Sequence, residues 1–350
     1  MSGRARNRIA WAGAWSRGHN NTRYAELLPR LANIDRYFVD MHPWWPLRGL
    51  RRRIWLPLLS IWMGLRYPLV LATDFRQIRL LRGRVVCDHD DPLFRPEEIR
   101  ALNAPNVAAV VVTGEAVAKG LADRGLRKDA FVIPQGVSAG SIDPKRVRAI
   151  RDCVRRSDRE VAAGIHQPHF EFGSELGGGA ARQMYAVDSL FEAVARARKK
   201  EPRLVLWLVG GASRMVREYA EQNPWVRLLG YQPHAELMDT VAAFDIGVYP
   251  RRGDLQGRAS IKVLEYMACG VPVVGFDVEE MRIAVNGGAG IAVPSVREFS
   301  AALVSLAGDP RRRRRLGING KRTAAAHDWD RLAREYRILL DRILLAEGNG

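Results

Sequence analysis

Phe244-Asp245-Ile246-Gly247-Val248-Tyr249-Pro250, a polar loop, then Ser260-Ile261-Lys262-Val263-Leu264-Glu265-Tyr266-Met267-Ala268-Cys269-Gly270-Val271-Pro272-Val273-Val274: the fold turns on this stretch. It reads as strand, loop, helix and strand. Ile246 to Tyr249 form a short apolar run ended by Pro250. Arg251 to Ala259 are charged and carry Gly253 and Gly257, the composition of a loop. Ser260 is placed as an N-cap. Ile261, Leu264 and Ala268 recur at helical spacing. Gly270 closes the helix and Pro272 opens the next strand. The helix N-terminus therefore faces the carboxyl end of a buried strand, where an open α/β sheet holds anions.

Glu265 gives this block its chemistry. A carboxylate one turn into such a helix can accept hydrogen bonds from both hydroxyls of a ribose; the alternative is a solvated helix glutamate. The block resembles the nucleotide-sugar site of retaining glycosyltransferases of the GT-B fold, a family of bacterial mannosyl- and glucosyltransferases and glycogen synthases. In that family an acid, seven residues and a glutamate precede a small-residue helix end and Gly-x-Pro-Val-Val. Glu265 and Cys269 to Val274 match. The first acid falls on Gly257, so one contact to the donor sugar is absent from the pattern. Ser260-Ile261-Lys262 is close to the Ser-Pro-x-Lys form of the loop found in many relatives.

The whole chain bounds this reading. Its 350 residues suit two domains better than one, and 47% apolar residues supply sizeable cores. Cys87, Cys153 and Cys269 are far apart, which argues for a reducing compartment and against a disulfide frame or zinc site. Ile9 to Trp15 is too short and interrupted for a signal peptide, so a cytoplasmic protein is expected. The net charge of +17 is carried mostly by arginine. A GC-rich genome, a face for acidic lipid headgroups and a nucleic-acid groove are the competing explanations. Arg311 to Arg315 read as a solvated helix face, without the aromatic platform of a nucleic-acid site. Ile54 to Thr73 has the length of a membrane span, but Pro57, Gly64, Arg66 and Pro68 interrupt it. Two readings remain for it. One is a pair of buried helices. The other is a surface-lying amphipathic segment, suggested by Trp44, Trp45, Trp55 and Trp62 beside Arg48 and Arg51 to Arg53.

Strand and helix patterns alternate along the chain, which implies parallel sheets. Strands are predicted at Arg8–Gly13, Asp35–Met41, Leu69–Thr73, Arg84–Cys87, Val107–Thr113, Leu204–Val209, Val226–Leu229 and Gly290–Val293. Helices are predicted at Thr22–Leu31, Glu115–Arg124, Asp188–Lys199, His234–Ala243 and Val296–Leu306. Polar Ser138 to Arg159 read as the interdomain segment. The resemblance then implies an α/β GT-B architecture: two Rossmann-like, doubly wound parallel-sheet domains facing each other across a cleft. Residues 1–157 would form the acceptor-side domain and 158–328 the nucleotide-sugar domain. Residues 329–350 would form a terminal helix packing back on the first.

The resemblance also distributes roles. Glu265 would hold the ribose, and the Gly230-Tyr231 turn would lie near the base. Gly210 and Gly211 would allow close backbone approach at a strand end, or form an ordinary tight turn. The backbone of Ala259, Ser260 and Ile261 would face the pyrophosphate. The family's Arg and Lys come from the loop after the first strand of the second domain. Here that loop, Gln167 to Tyr185, is long and offers Arg182, with Tyr185 at the Lys position; Lys262 would assist. His89 and Asp90, in Asp88-His89-Asp90-Asp91, are the catalytic candidates beside the donor sugar and acceptor hydroxyl. The alternative for His89 is a structural histidine, and the neighbouring aspartates would orient it or bind a cation. Gly18 and His19 would lie near donor phosphate or acceptor. His166 and His169 read as polar loop or cleft residues with no third metal ligand.

These readings imply a glycosyltransferase that moves a hexose from a nucleotide diphosphate sugar, with retention, and without metal or cofactor. Its acceptor would be a glycan, a lipid-linked or a small molecule of the cell envelope, a polysaccharide or a natural product. Contact with the inner membrane face fits the basic, Trp-rich first domain; no nucleic-acid partner is expected. The rival reading is a non-catalytic GT-B protein that binds a nucleotide, glycan or partner.

Overall fold

The computed structural model describes residues 8–13, 22–38, 54, 56–73, 75–79, 81–90, 92–138, 142–176, 186–252 and 260–346. They fold as two compact units. One takes the described residues up to Gly136 and from Trp329 onward, the other those from Val137 to Asp328.

The first unit is a parallel sheet of strands β1 (Ile9–Gly13), β2 (Ile34–Phe38), β3 (Leu69–Ala72), β4 (Val85–Asp88), β5 (Val107–Val112) and β6 (Ala130–Val132), in the order β2-β1-β3-β4-β5-β6. β3 and β4 are buried throughout and apolar at every position but the last, Asp88, as expected for parallel strands covered on both faces. Helices α1 (Thr22–Arg30), α2 (Leu56–Arg66), α3 (Phe75–Ile78), α4 (Pro96–Leu102) and α5 (Glu115–Ala122) connect them. Residues 54–73 are thus one helix and one strand, which excludes the pair of buried helices. α2 keeps one side on the core and leaves Leu58, Ile61, Trp62 and Leu65 exposed.

The second unit repeats the scheme with β7 (Val161–Phe170), β8 (Leu204–Ala212), β9 (Val226–Gly230), β10 (Ile246–Tyr249), β11 (Val273–Phe276) and β12 (Gly290–Val293), in the order β12-β11-β10-β7-β8-β9. Its helices are α6 (Pro144–Val154), α7 (Asp188–Arg198), α8 (Arg214–Gln222), α9 (His234–Ala242), α10 (Ile261–Ala268), α11 (Arg282–Asn286), α12 (Val296–Gly308) and α13 (Pro310–Ala325). α14 (Trp329–Leu345) then packs in the first unit, where Trp329, Leu332, Tyr336 and Leu340 join the cluster around Trp11 and Leu27.

Three expectations are revised. Residues 137–157 belong to the second unit, since Ile142, Val147, Ile150 and Val154 pack against its core. That segment holds a helix capped by Asp143, whose carboxylate accepts from the Lys145 amide. β7 runs on to Phe170, so His166 and His169 lie on a strand. The basic run opens α13: Asp309 caps it, and Arg313 donates to the carbonyls of Leu306 and Ala307 at the end of α12.

Candidate active site

In the second sheet the chain leaves β7 for β8 on one side and later places β10 on the other, so the strand order reverses between β7 and β10. The crevice at the carboxyl ends of such strands is where α/β sheets hold ligands. β10 ends there at Tyr249 and α10 begins after it. Every residue of α10 from Val263 to Ala268 is buried. Tyr266 packs against Gly247, where a Cβ would come 2.7 Å from its ring. The helix ends in a Schellman turn: Gly270, at φ +74°, donates to the Met267 carbonyl and Val271 to that of Tyr266.

Ser260 occupies the N-cap position with extended backbone, but its side chain does not cap the helix; it hydrogen-bonds Tyr249. The first-turn amides of α10 are left for another acceptor. Glu265 is 5% exposed, and its Oε2 lies 3.0 Å from Nε2 of His166 on β7. The contact is one of distance, and Nε2 donates to the carboxylate when the ring proton sits on that nitrogen. The imidazole is held edge-on to Tyr266, ring centroids 5.6 Å apart. Burial lowers the pKa of the Lys262 ammonium; Glu265 opposes this and Arg251 adds to it. Arg251 pairs with Glu280 at 2.8 Å and donates to the Tyr249 hydroxyl at 3.1 Å. Its Nε and Nη2 are buried, with no hydrogen-bond partner among the described residues. Burial pushes the Tyr249 phenol up, so it remains a neutral donor. The crevice thus presents a carboxylate, two cations and uncapped amides, a set suited to a ribose and an anion.

Gly210 and Gly211 sit at the end of β8 beside the bulge of β7 between His166 and His169. At Gly210, with φ +146°, a Cβ would fall 1.8 Å from the carbonyl oxygen of Gln167. The backbone that approaches is therefore the chain's own, one residue past His166. Gly230 has φ +71° with open space around it, and Tyr231 is largely exposed.

In the first unit, Asp88 does not orient His89. Its carboxylate accepts from Nε of Arg23 at 3.0 Å, both side chains being fully buried. Arg23 also donates to the carbonyls of Pro134 and Ile133, and the Tyr24 hydroxyl to that of Asp88. Burial pushes the Asp88 carboxyl up against the pull of Arg23. The carboxylate facing His89 is Glu98, 3.5 Å from Nε2, while Phe75 meets the ring edge-on. His89 is itself 5% exposed, and its amide donates to Val111. Asp90 is half-buried, its carbonyl 3.5 Å from the Thr113 hydroxyl. Among the described residues no three His, Cys, Asp or Glu side chains group to hold a metal ion.

The structure therefore gathers Glu265, Lys262, Ser260 and Ile261 at one helix start, and His89 with Asp90 after β4. Gly18, His19, Arg182 and Ala259, like Gly257 and Asp91, lie outside the described residues. Tyr249, Arg251 and Glu280 join the site without having been singled out for it, and His166, read from the sequence as a loop or cleft residue, joins it from β7. Their signals were a histidine before Pro168, and an arginine directly after the strand-ending Pro250.

Residues 177–309 match the family model described as Glycosyl transferases group 1. That match covers part of the second unit and marks a similarity to the group 1 glycosyl transferases. Relatives include a D-inositol 3-phosphate glycosyltransferase of Catenulispora acidiphila, 28% identical over 66% of this chain and 60% of its own length. Another, from Thermobispora bispora, is 35% identical over 34% of this chain and 28% of its own. The chain thus matches less than two thirds of these relatives' length. Among solved structures, HepE of Anabaena in complex with UDP has a TM-score of 0.72 at 15% identity, covering 96% of this chain and 100% of that one. WaaG, a glycosyltransferase involved in lipopolysaccharide biosynthesis, gives 0.64 at 14%, covering 95% and 99%. The chain shares the GT-B fold of these structures.

Proposed function

We propose that this protein is a retaining glycosyltransferase that moves a hexose from a nucleotide diphosphate sugar to an envelope, polysaccharide or natural-product acceptor in the cytoplasm. The observation that carries the reading is the buried Glu265 carboxylate. It stands one turn into α10, 3.0 Å from His166, at the strand-order reversal. Glu265 would take the ribose hydroxyls. The first-turn amides, Lys262 and Arg251 would neutralise the leaving pyrophosphate, the group on which negative charge builds as the glycosidic bond breaks. His89 and Asp90 are the proposed acceptor-side groups. The relatives named for D-inositol 3-phosphate make a phosphorylated polyol the first acceptor to try.

The test is thermal stabilisation of the full chain by UDP, GDP, ADP and their sugar conjugates, followed by product analysis with the donor that binds. A ligand at a hundred times its Kd adds about 2.7 kcal/mol to the folded state. Glu265→Ala should weaken nucleotide affinity roughly 10- to 100-fold, the value of hydrogen bonds to a charged group, and leave the melting point without ligand little changed. Unchanged affinity would remove the ribose role. Gly257 in place of the first acid favours a second reading, a non-catalytic nucleotide or glycan binder. Nucleotide binding without transfer to any acceptor, and without donor hydrolysis, would select it.

A further inference from the structure

We infer that the exposed face of α2 is a docking surface for an anionic lipid bilayer, independent of the donor reading. Ile54, Leu58, Ile61, Trp62 and Leu65 are all exposed, Leu65 to 82%. The four on the helix, Leu58 to Leu65, are spaced by three, one and three residues and lie on a single stripe about 100° wide. The opposite side of the same helix is committed: Met63 is fully buried, and Leu59 packs on the sheet core. Trp62 is not loose, for its ring meets Tyr37 and Tyr67 edge-on at 5.4 and 5.9 Å. The fold therefore holds large apolar side chains outward, on a rigid element, where isolated exposed residues would be the ordinary outcome.

Charge selects the occupant. Arg66 flanks the stripe on one side. On the other, the chain at Arg82 docks directly onto the helix, its carbonyl oxygen 2.1 Å from where a Cβ of Gly64 would stand. Gly64 thus lets Arg82 sit beside Leu65. Both guanidinium groups are exposed, and among the described residues neither has an ion-pair partner. Between His42 and Cys87 the sequence has nine arginines and a single acid, Asp74. A second copy seated on this stripe would bring the exposed Arg66 and Arg82 of both copies together, which like-charge repulsion opposes. A bilayer with acidic headgroups answers both features, taking the apolar stripe to the depth of the headgroup boundary and pairing the arginines above it. Among the described residues no helix is long and apolar enough to cross a membrane, so the contact is one of lying on the surface.

The test is co-sedimentation of the full chain with vesicles of phosphatidylcholine alone, or mixed with phosphatidylglycerol. We expect binding to the mixed vesicles, weakened by salt. Leu58→Ser with Leu65→Ser should reduce it about tenfold or more by removing apolar contact. Arg66→Gln with Arg82→Gln should reduce it roughly thirtyfold on the mixed vesicles only, at about fivefold for each arginine. All four side chains are exposed, so melting temperatures should stay at the wild-type value and separate lost docking from lost folding. No binding to the mixed vesicles, or binding by both double variants equal to that of the wild type, would overturn the proposal. So would a concentration-dependent dimer abolished by Leu65→Ser without vesicle binding.

Discussion

Replacing Gly210 by alanine separates the two roles open to the Gly210-Gly211 pair, ligand approach and strand packing. The backbone there holds φ at +146°, a region costing an L-residue roughly 1–3 kcal/mol. The new methyl would also stand 1.8 Å from the Gln167 carbonyl oxygen. Relieving that overlap displaces β7 or β8 from their shared ladder, a further cost of about 1–3 kcal/mol. The sum, about 4 kcal/mol, lowers the melting point of a unit this size by about 8–16 °C. Gly230→Ala is the control. Its φ of +71° is also strained for alanine, yet no atom lies within 4 Å of the added carbon, so about 1 kcal/mol and about 2–4 °C are expected. Melting followed by calorimetry reads both. Gly210→Ala should also lose nucleotide-induced stabilisation, because the displaced strand carries His166 away from Glu265. If Gly210→Ala melts within about 4 °C of wild type, like the control, the packing role fails and close approach by a ligand regains its claim.

Lys262→Met tests the half-buried cation. Burial lowers the folded-state pKa of Lys262, so between that value and the ordinary lysine value the unfolded chain binds more protons, and stability rises with pH. Below that window the cost of desolvating the ammonium is complete. The variant should therefore show a higher urea midpoint at neutral pH, a flatter alkaline limb and weaker stabilisation by nucleoside diphosphates; a lower midpoint would contradict the burial argument. Asp88→Asn strands the fully buried Arg23 guanidinium and should cost about 3–5 kcal/mol in urea unfolding. A loss below about 1 kcal/mol would mean that water reaches the pair. Cys153 is exposed and should react with a thiol reagent in the native state. Cys269, buried and pushed up to about 12 by burial and Glu265, should react only on unfolding. Rapid native labelling of Cys269 would show that α10 opens.

Where a local pattern and the tertiary environment agree, the elements were legible. β10 and β12 span the residues their apolar runs indicate, and α10 ends at the glycine that its Schellman turn requires. α6 reads as a linker in the sequence because its residues are mostly polar and charged and include Pro144. Its signals were nevertheless present: Asp143 before Pro144, then Val147, Ile150 and Val154 at helical spacing. The end of β7 was missed because Pro168 reads as a breaker. The strand tolerates it at a bulge, where the ladder has already shifted register.

The candidate site divides by the same logic. Glu265 stood out because its neighbours on one short segment specify a strand, a helix start and a Gly-Val-Pro exit together. Its contact with His166 joins residues on separate strands and helices, and no local pattern encodes such a pair. The Asp88-His89-Asp90 run shows the converse error. Adjacency in sequence suggested aspartates orienting a histidine, but successive residues leaving a strand point to opposite faces. Asp88 turns to Arg23, on the side where α1 and α14 pack, and His89 turns to Phe75 and Glu98. Neutralising the neighbouring Asp88 should thus act on the stability of the first unit, whereas Glu98 is the carboxylate placed to set the orientation of His89. If His89 moves the acceptor's proton, the rate of transfer should fall in Glu98→Gln, which removes the carboxylate that orients the ring. It should be indifferent to Asp88→Asn in whatever fraction of that variant remains folded.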